Sequence, residues 1–170
     1  MLASILRAAS VKVSWISTIS ARIGTLEIDT GAHTTTPLPF MLQSFLRRMV
    51  RDGDTHAVLE VTSHGIAQNR IWGIPFKVAV LTNVTPEHLD YHGTYDAYLR
   101  TKVRLLQKAQ RHGGIAVINR DDGSFAHVRP MLGENVIIYG EQPDVQIRAT
   151  DIVERQDGSD FVMQTPAGSV

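Results

Sequence analysis

The sequence contains no cysteine. Disulfides, thiolate-bound zinc and a cysteine nucleophile are therefore excluded, and the composition fits a reducing compartment. Neither sign of charge is in excess, because 17 Lys and Arg residues balance 17 Asp and Glu residues. No overall basic field argues for a nucleic-acid partner, and no acidic surplus argues for a disordered tail. No run approaches the ~18 apolar residues of a membrane span. The amino-terminal stretch lacks the long apolar segment and small-residue cleavage site of a targeting peptide, and reads instead as a helix ending near Ser10 and a strand from Val11. No Gly-x-x-x-x-Gly-Lys-Ser/Thr motif occurs: no glycine precedes a lysine, and no lysine precedes Ser or Thr. The residues at hand hold no P-loop to cradle nucleotide phosphates.

What is present is an ordinary globular composition, 43% hydrophobic and 20% charged over 170 residues, which suits one domain. Helix and strand patterns alternate along it. Leu2, Ile5, Leu6 and Ala9 share a helical face, and residues 11–19 read as extended. Residues 38–49 are helical, with Phe40, Leu42, Phe45, Leu46 and Met49 as the apolar positions. Residues 57–61 form a short apolar strand, followed by a polar turn at residues 62–65. Residues 76–81 form another strand, 95–110 a long helix, 115–118 and 136–139 two further strands. Weak alternation over residues 145–170, with Asp157-Gly158 between, signals a hairpin. The expected fold class is α/β: a mostly parallel sheet flanked by helices, with a few antiparallel strands at the carboxyl-terminal end. Ligands bind such sheets at the carboxyl ends of the strands. Polar clusters end three strands here, at residues 60–64, 82–83 and 119–122, and this predicts one site along one sheet edge.

Four features carry possible chemistry. His88 and His92 are four residues apart; on a helix they would share a face as paired metal ligands do, although without an HExxH pattern a polar loop with ordinary histidine hydrogen bonds is the commoner explanation. Glu60 ends an apolar strand, where a cation, a lysine or backbone amides would offset its charge. Lys102 lies on the long helix, four residues after Tyr98, and by itself is a solvated helix lysine. Thr34, Thr35 and Thr36 precede Pro37, which marks a helix start; hydroxyls there cap the helix or bind an anion.

Together these blocks resemble a known family. Thr34-Thr35-Thr36-Pro37, Glu60-Val61-Thr62-Ser63-His64-Gly65 with Gln68 and Arg70, Thr82-Asn83, His88-Leu89-Asp90-Tyr91-His92-Gly93, Lys102, and Asn119 with Asp121-Asp122 stand in the order and spacing of the Mur ligases. The two long blocks look like the MurE branch, the UDP-N-acetylmuramoyl-dipeptide ligases, and less like the folylpolyglutamate ligases. The likeness runs from Met1 to about Tyr139 and fades beyond.

The resemblance implies a reaction in peptidoglycan synthesis. ATP phosphorylates the terminal carboxylate of UDP-N-acetylmuramoyl-L-alanyl-D-glutamate, and an amino acid, usually diaminopimelate or lysine, attacks the acyl phosphate. By the same resemblance Glu60, His88 and Lys102 match the magnesium site. Lys102 matches a lysine that is often carbamylated, and His88 and Lys102 are the catalytic candidates. Thr35, Thr36, Thr62, Ser63, Gln68 and Arg70 match positions that hold the muramoyl peptide. Asn83 and Asn119 match the nucleotide side, and His92 lies in the same site. Thr62 departs from the serine usual in its block, keeping the hydroxyl and adding a methyl. The expected partners are the UDP-linked dipeptide and an amino acid, with ATP and magnesium, in the cytoplasm, as a monomer or with the family's other domains.

The family also carries a uridine-binding domain, a P-loop and an amino-acid-binding domain. Met1 falls just after the expected end of the P-loop, so residues 1–170 read as one partial central domain. Two other readings compete: a non-catalytic muramoyl-peptide binding module, and a small metal-dependent hydrolase using Glu60, His64, His88 and His92. Without a P-loop lysine and its amides, much of the stabilisation of phosphoryl transfer is missing. The purified 170-residue chain is expected to show no ligase turnover and weak ATP affinity. A phosphate-release assay with ATP, magnesium and both acceptor substrates checks this, and a robust magnesium-dependent rate overturns it.

Overall fold

A computed structural model describes residues 1–28 and 35–170. The chain forms two compact units, Met1–Ile74 and Pro75–Val170, each built on its own sheet. The architecture is α/β in both, with parallel strands packed against helices.

In the first unit α1 (Leu2–Ala8) leads to β1 (Val13–Ile16), then to β2 (Ala21–Ile23) and β3 (Leu26–Ile28). Next come α2 (Pro39–Arg51), β4 (His56–Leu59) and α3 (Ser63–Ala67). The sheet order is β3-β2-β1-β4. β1 and β4 are parallel, with Val13 opposite His56 and Ile16 opposite Leu59, so both strands run out on one edge. The β2–β3 hairpin was not expected from the sequence: its strands have three residues each, too short for an alternation pattern to emerge. Val13, Ile16, Ala21, Ile23, Leu42, Met49 and Ile66 are buried. Two expectations fail locally. Residues 62–65 are not a turn, because Thr62 caps α3 by accepting the Gly65 amide at 3.0 Å. Phe40 supplies no core contact and is 92% exposed, since Leu42 and Met49 define the inward stripe of α2.

In the second unit β5 (Val78–Leu81), α4 (Leu89–His92), α5 (Tyr95–Arg111) and β6 (Ile115–Asn119) come first. They are followed by α6 (Phe125–Val128), a 3-10 turn at Arg129–Met131 and β7 (Val136–Gly140). β8 (Ile147–Arg155), β9 (Gly158–Thr165) and β10 (Gly168–Ser169) complete the order β10-β9-β8-β7-β6-β5. β5, β6, β7 and β8 pair in parallel, and β8, β9 and β10 antiparallel. The carboxyl-terminal hairpin expected around Asp157-Gly158 is present, with Arg155 opposite Gly158.

Helix α5 holds this unit together. Thr94 accepts the Ala97 amide at 3.2 Å to start it. Tyr98, Leu99, Val103, Leu106 and Ala109 then form one buried face against Ala79, Ala116 and Ile118 of β5 and β6. Alanine at 79, 109 and 116 lets helix and sheet approach closely. Gly114 closes the return to β6, because a Cβ there would lie 2.6 Å from the Lys77 carbonyl oxygen.

The expected α/β class, mostly parallel strands flanked by helices with antiparallel strands at the carboxyl-terminal end, is borne out, and the pairing adds one detail. β4 and β5 belong to different sheets, and an alternating pattern counts strands without saying which are hydrogen-bonded neighbours. Among the described residues no helix is long and apolar enough to cross a membrane. Leu106→Ala, in the α5 core, is expected to cost ~2–5 kcal/mol by urea denaturation. Phe40→Ala is expected to stay within ~0.5 kcal/mol of the parent.

Candidate functional site

The polar residues singled out in the sequence gather at strand ends, in two sets, one per unit. In the first unit the chain leaves β4 at Glu60, whose amide donates to the Ile16 carbonyl at 2.9 Å. The carboxylate is exposed and held by one residue. The Thr18 amide donates to Oε2, and the Thr18 hydroxyl to Oε1, each at 3.0 Å. The Thr18 hydroxyl also lies 3.0 Å from that of Thr35. Thr18 was missed by sequence reasoning. Its only signal was a hydroxyl just past an apolar strand, which is common in any parallel fold.

Thr36 is the buried centre of this set, at 2% exposure. Its hydroxyl accepts the Thr62 amide at 2.9 Å, donates to the Glu60 carbonyl at 3.3 Å, and lies 3.3 Å from the Thr62 hydroxyl. Its own carbonyl accepts from Arg70 Nη1 at 2.7 Å. The capping reading is therefore corrected for Thr35 and Thr36. α2 starts at Pro39 with Leu38 at its N-cap and no side-chain cap, because a second proline takes the first helical position. Thr34 lies outside the described residues. Gly65 packs directly on Thr36, where an added Cβ would sit 2.8 Å from the threonine Cβ, Cγ2 and Oγ1.

Arg70 is already oriented. Nε and Nη2 both donate to Gln68 Oε1, at 2.9 and 2.6 Å. With Nη1 on Thr36, three of the five guanidinium N–H groups are committed, and two remain for an anion. Ser63 is buried at the start of α3. The structure thus brings Glu60, Thr35, Thr36, Thr62, Ser63, Gln68 and Arg70 into one unit.

The second set lies at the carboxyl ends of β5, β6 and β7. Asn119 Nδ2 donates to the Thr82 carbonyl at 3.1 Å, and Asn119 Oδ1 accepts the Asp121 amide at 3.0 Å. Asp121 accepts the Glu141 amide at 2.7 Å, beyond β7. Asp122 reaches back to the Val84 amide at 3.4 Å and also accepts from the amide and hydroxyl of Ser124. The Val84 carbonyl accepts from the Tyr95 hydroxyl at 3.1 Å. The loop that carries Asn83 and His88 is therefore held at Val84 from both sides. Burial, with Asp122 next, raises the Tyr95 pKa, and burial with Asp122 and Asp121 raises that of Tyr139. Both phenols stay protonated through neutral pH, and Tyr95 stays a donor. The cavity beside Asn119, Asp122 and Phe125 measures about 10 Å³, room for a single water, so any nucleotide base would lie outside it.

Tyr98 is the second residue that sequence reasoning passed over. It is 2% exposed, and three candidate residues surround its ring. His92 is 5.2 Å and His88 6.4 Å away between centroids, and Lys102 Nζ lies 5.1 Å from the ring centre. Lys102 is thus a half-buried cation on an aromatic face, not a fully solvated helix lysine. The two histidines do not share a helical face. His88 takes a left-handed conformation with φ 55° at the N-cap of α4, and only His92 is helical.

The donor chemistry tests the expected magnesium set. Glu60 suits a hard cation, since each carboxylate oxygen carries one hydrogen bond and retains acceptor capacity. An ammonium at Lys102 offers donors only and cannot ligate; a carbamate there could. Glu60 belongs to one unit, His88 and Lys102 to the other. Among the described residues no three His, Asp or Glu side chains form a metal-holding group.

Residues 1–170 match the family model described as the Mur ligase middle domain. A UDP-N-acetylmuramoyl-L-alanyl-D-glutamate–2,6-diaminopimelate ligase of Neisseria meningitidis serogroup B is 42% identical over 151 residues, covering 85% of this chain and 30% of that protein. A UDP-N-acetylmuramyl-tripeptide synthetase 2 of Oceanobacillus iheyensis is 37% identical over 146 residues, 84% of this chain and 30% of the relative. A solved structure of a UDP-N-acetylmuramoyl-L-alanyl-D-glutamate–2,6-diaminopimelate ligase superimposes with a TM-score of 0.83 at 26% identity, over 99% of this chain and 34% of that one. The likeness therefore does not fade after Tyr139. The chain spans about 30% of the length of these curated relatives.

Thr36→Val removes the hydroxyl that serves Thr62 and Glu60 and is expected to destabilise by ~1–3 kcal/mol. Thr36→Ser, which keeps the hydroxyl, is expected to recover most of that loss in the same urea titration.

Proposed function

The chain belongs to the Mur ligase family, and we propose that it is the substrate-holding part of a MurE-type ligase. In this reading the whole enzyme joins an amino acid to UDP-N-acetylmuramoyl-L-alanyl-D-glutamate during peptidoglycan synthesis. The family model spans both compact units, which supports treating them as parts of one domain. The observation that carries the proposal is the Thr36 network. Buried Thr36 fixes Thr62 and, through its carbonyl, Arg70, in the residue types that an anionic peptide ligand requires.

The chemistry follows from that assignment. The γ-phosphoryl group of ATP passes to a substrate carboxylate oxygen, giving an acyl phosphate and ADP. The amine nitrogen of the incoming amino acid attacks the acyl carbon, and inorganic phosphate leaves. Arg70 would use its two uncommitted N–H groups on the substrate's anionic end. Thr35 and Thr62 would offer hydroxyls to its amides. Asn83 and Asn119, at adjoining strand ends, would face the nucleotide. In the first unit Glu60 would offer magnesium a carboxylate, and in the second His88 and Lys102, the latter as a carbamate, would be the candidate donors. The metal supplies charge neutralisation for the transferring phosphoryl group. Such a ligase works where its nucleotide-linked substrate is made, in the cytoplasm.

Titration calorimetry of the 170-residue chain with UDP-N-acetylmuramoyl-L-alanyl-D-glutamate tests the reading. Saturable binding is expected, weakened about tenfold or more by Arg70→Ala. A folded chain that does not bind, or an affinity indifferent to Arg70, overturns it. Binding that persists while the parent enzyme proves inactive would favour a non-catalytic binding module.

A further inference from the structure

Trp15 on β1 stands directly opposite Arg22 on β2, and α1 packs on β1 and brings Arg7 to the same indole. The Cζ atoms of Arg7 and Arg22 lie 4.7 and 5.4 Å from the Trp15 ring centroid. All three side chains are half-buried. The ring attracts each guanidinium through its π face, but two cations on one ring repel one another.

Among the described residues neither arginine forms an ion pair. The acid in register with Arg22 is Glu27 on β3, and its carboxylate instead accepts from the Ser20 hydroxyl at 2.9 Å. Arg22 Nε is moreover buried with no hydrogen-bond partner, alone in this among the described side-chain atoms. Buried donors almost always find an acceptor. An orphaned donor on a half-desolvated cation is costly, and an oxyanion at the accessible part of that guanidinium offsets its charge.

We infer that Arg7, Trp15 and Arg22 form a binding site for a small phosphorylated ligand, held through a phosphate or diphosphate group. The fork of Arg22 matches phosphate oxygens bidentately, Arg7 supplies a second positive charge, and Trp15 fixes both planes. Two guanidinium charges match a group bearing two negative charges better than they match a single carboxylate. The site is separate from the Thr36 network, because neither arginine hydrogen-bonds to Thr18, Thr36, Glu60 or Thr62. It does not depend on the function proposed above.

The test uses the full 170-residue chain carrying Trp72→Phe, which leaves Trp15 as the sole indole. Inorganic pyrophosphate is titrated at constant ionic strength while Trp15 fluorescence is read. A saturable change is expected, about tenfold or more weaker in Arg22→Gln and in Arg7→Gln. In the unaltered chain, the Arg22 Nε–H resonance should move with the same midpoint, which needs no variant to fold. No saturable response overturns the site. So does an equal response to chloride, or one undiminished in both glutamine variants.

Discussion

Parallel strand pairing is the constraint on which the rest of this structure depends. Parallel strands all leave the sheet by the same edge, and the chain must then cross back over the sheet to begin the next. Each exit exposes amides and carbonyls with no ladder partner, and side chains must serve them. In the first unit β1 and β4 end together, and the side chains of Glu60, Thr36 and Thr62 serve that edge. In the second unit Asn119, Asp121 and Asp122 bind the exits of β5, β6 and β7 to one another. The side chains that satisfy the backbone are also those with chemistry to offer. Stability and a ligand surface therefore draw on the same few residues.

The order and type of the main elements could be read from the sequence. Apolar stripes at helical spacing located α2 and α5, and β-branched runs located β1, β4, β5, β6 and β7 within two or three residues. The short pieces could not: β2, β3, α6 and β10 hold too few residues for any period to emerge. Strand partnership was equally hidden, because the hydrogen bonds that divide the described strands between two sheets leave no mark on a linear pattern. The polar clusters were found at strand ends, yet their internal geometry was not. That Thr36 bonds to Glu60 and Thr62 and not to its own helix depends on a crossover of the chain. That Tyr98 lies among His88, His92 and Lys102 depends on the left-handed turn at His88.

The two sets differ in chemical character. The first is built of hydroxyls, one carboxylate and a guanidinium already oriented by Gln68. Such a surface recognises without needing to move. The second gathers imidazoles and an ammonium around a buried phenol ring. The supports around it, Tyr95 and Asp122, act on backbone atoms of Val84. The loop is therefore fixed at Val84 by groups other than its histidines.

The close packing of Gly65 on Thr36 has an evolutionary consequence. Any side chain at 65 collides with the Cβ of residue 36 as well as with its hydroxyl and methyl, so shortening the threonine to alanine does not make room. Position 65 cannot gain a side chain while residue 36 keeps a Cβ, and a glycine at 36 that made room would forfeit the hydroxyl network. Two residues far apart in the chain are thereby locked in epistasis. This corner of the molecule should change least as the surrounding sequence diverges.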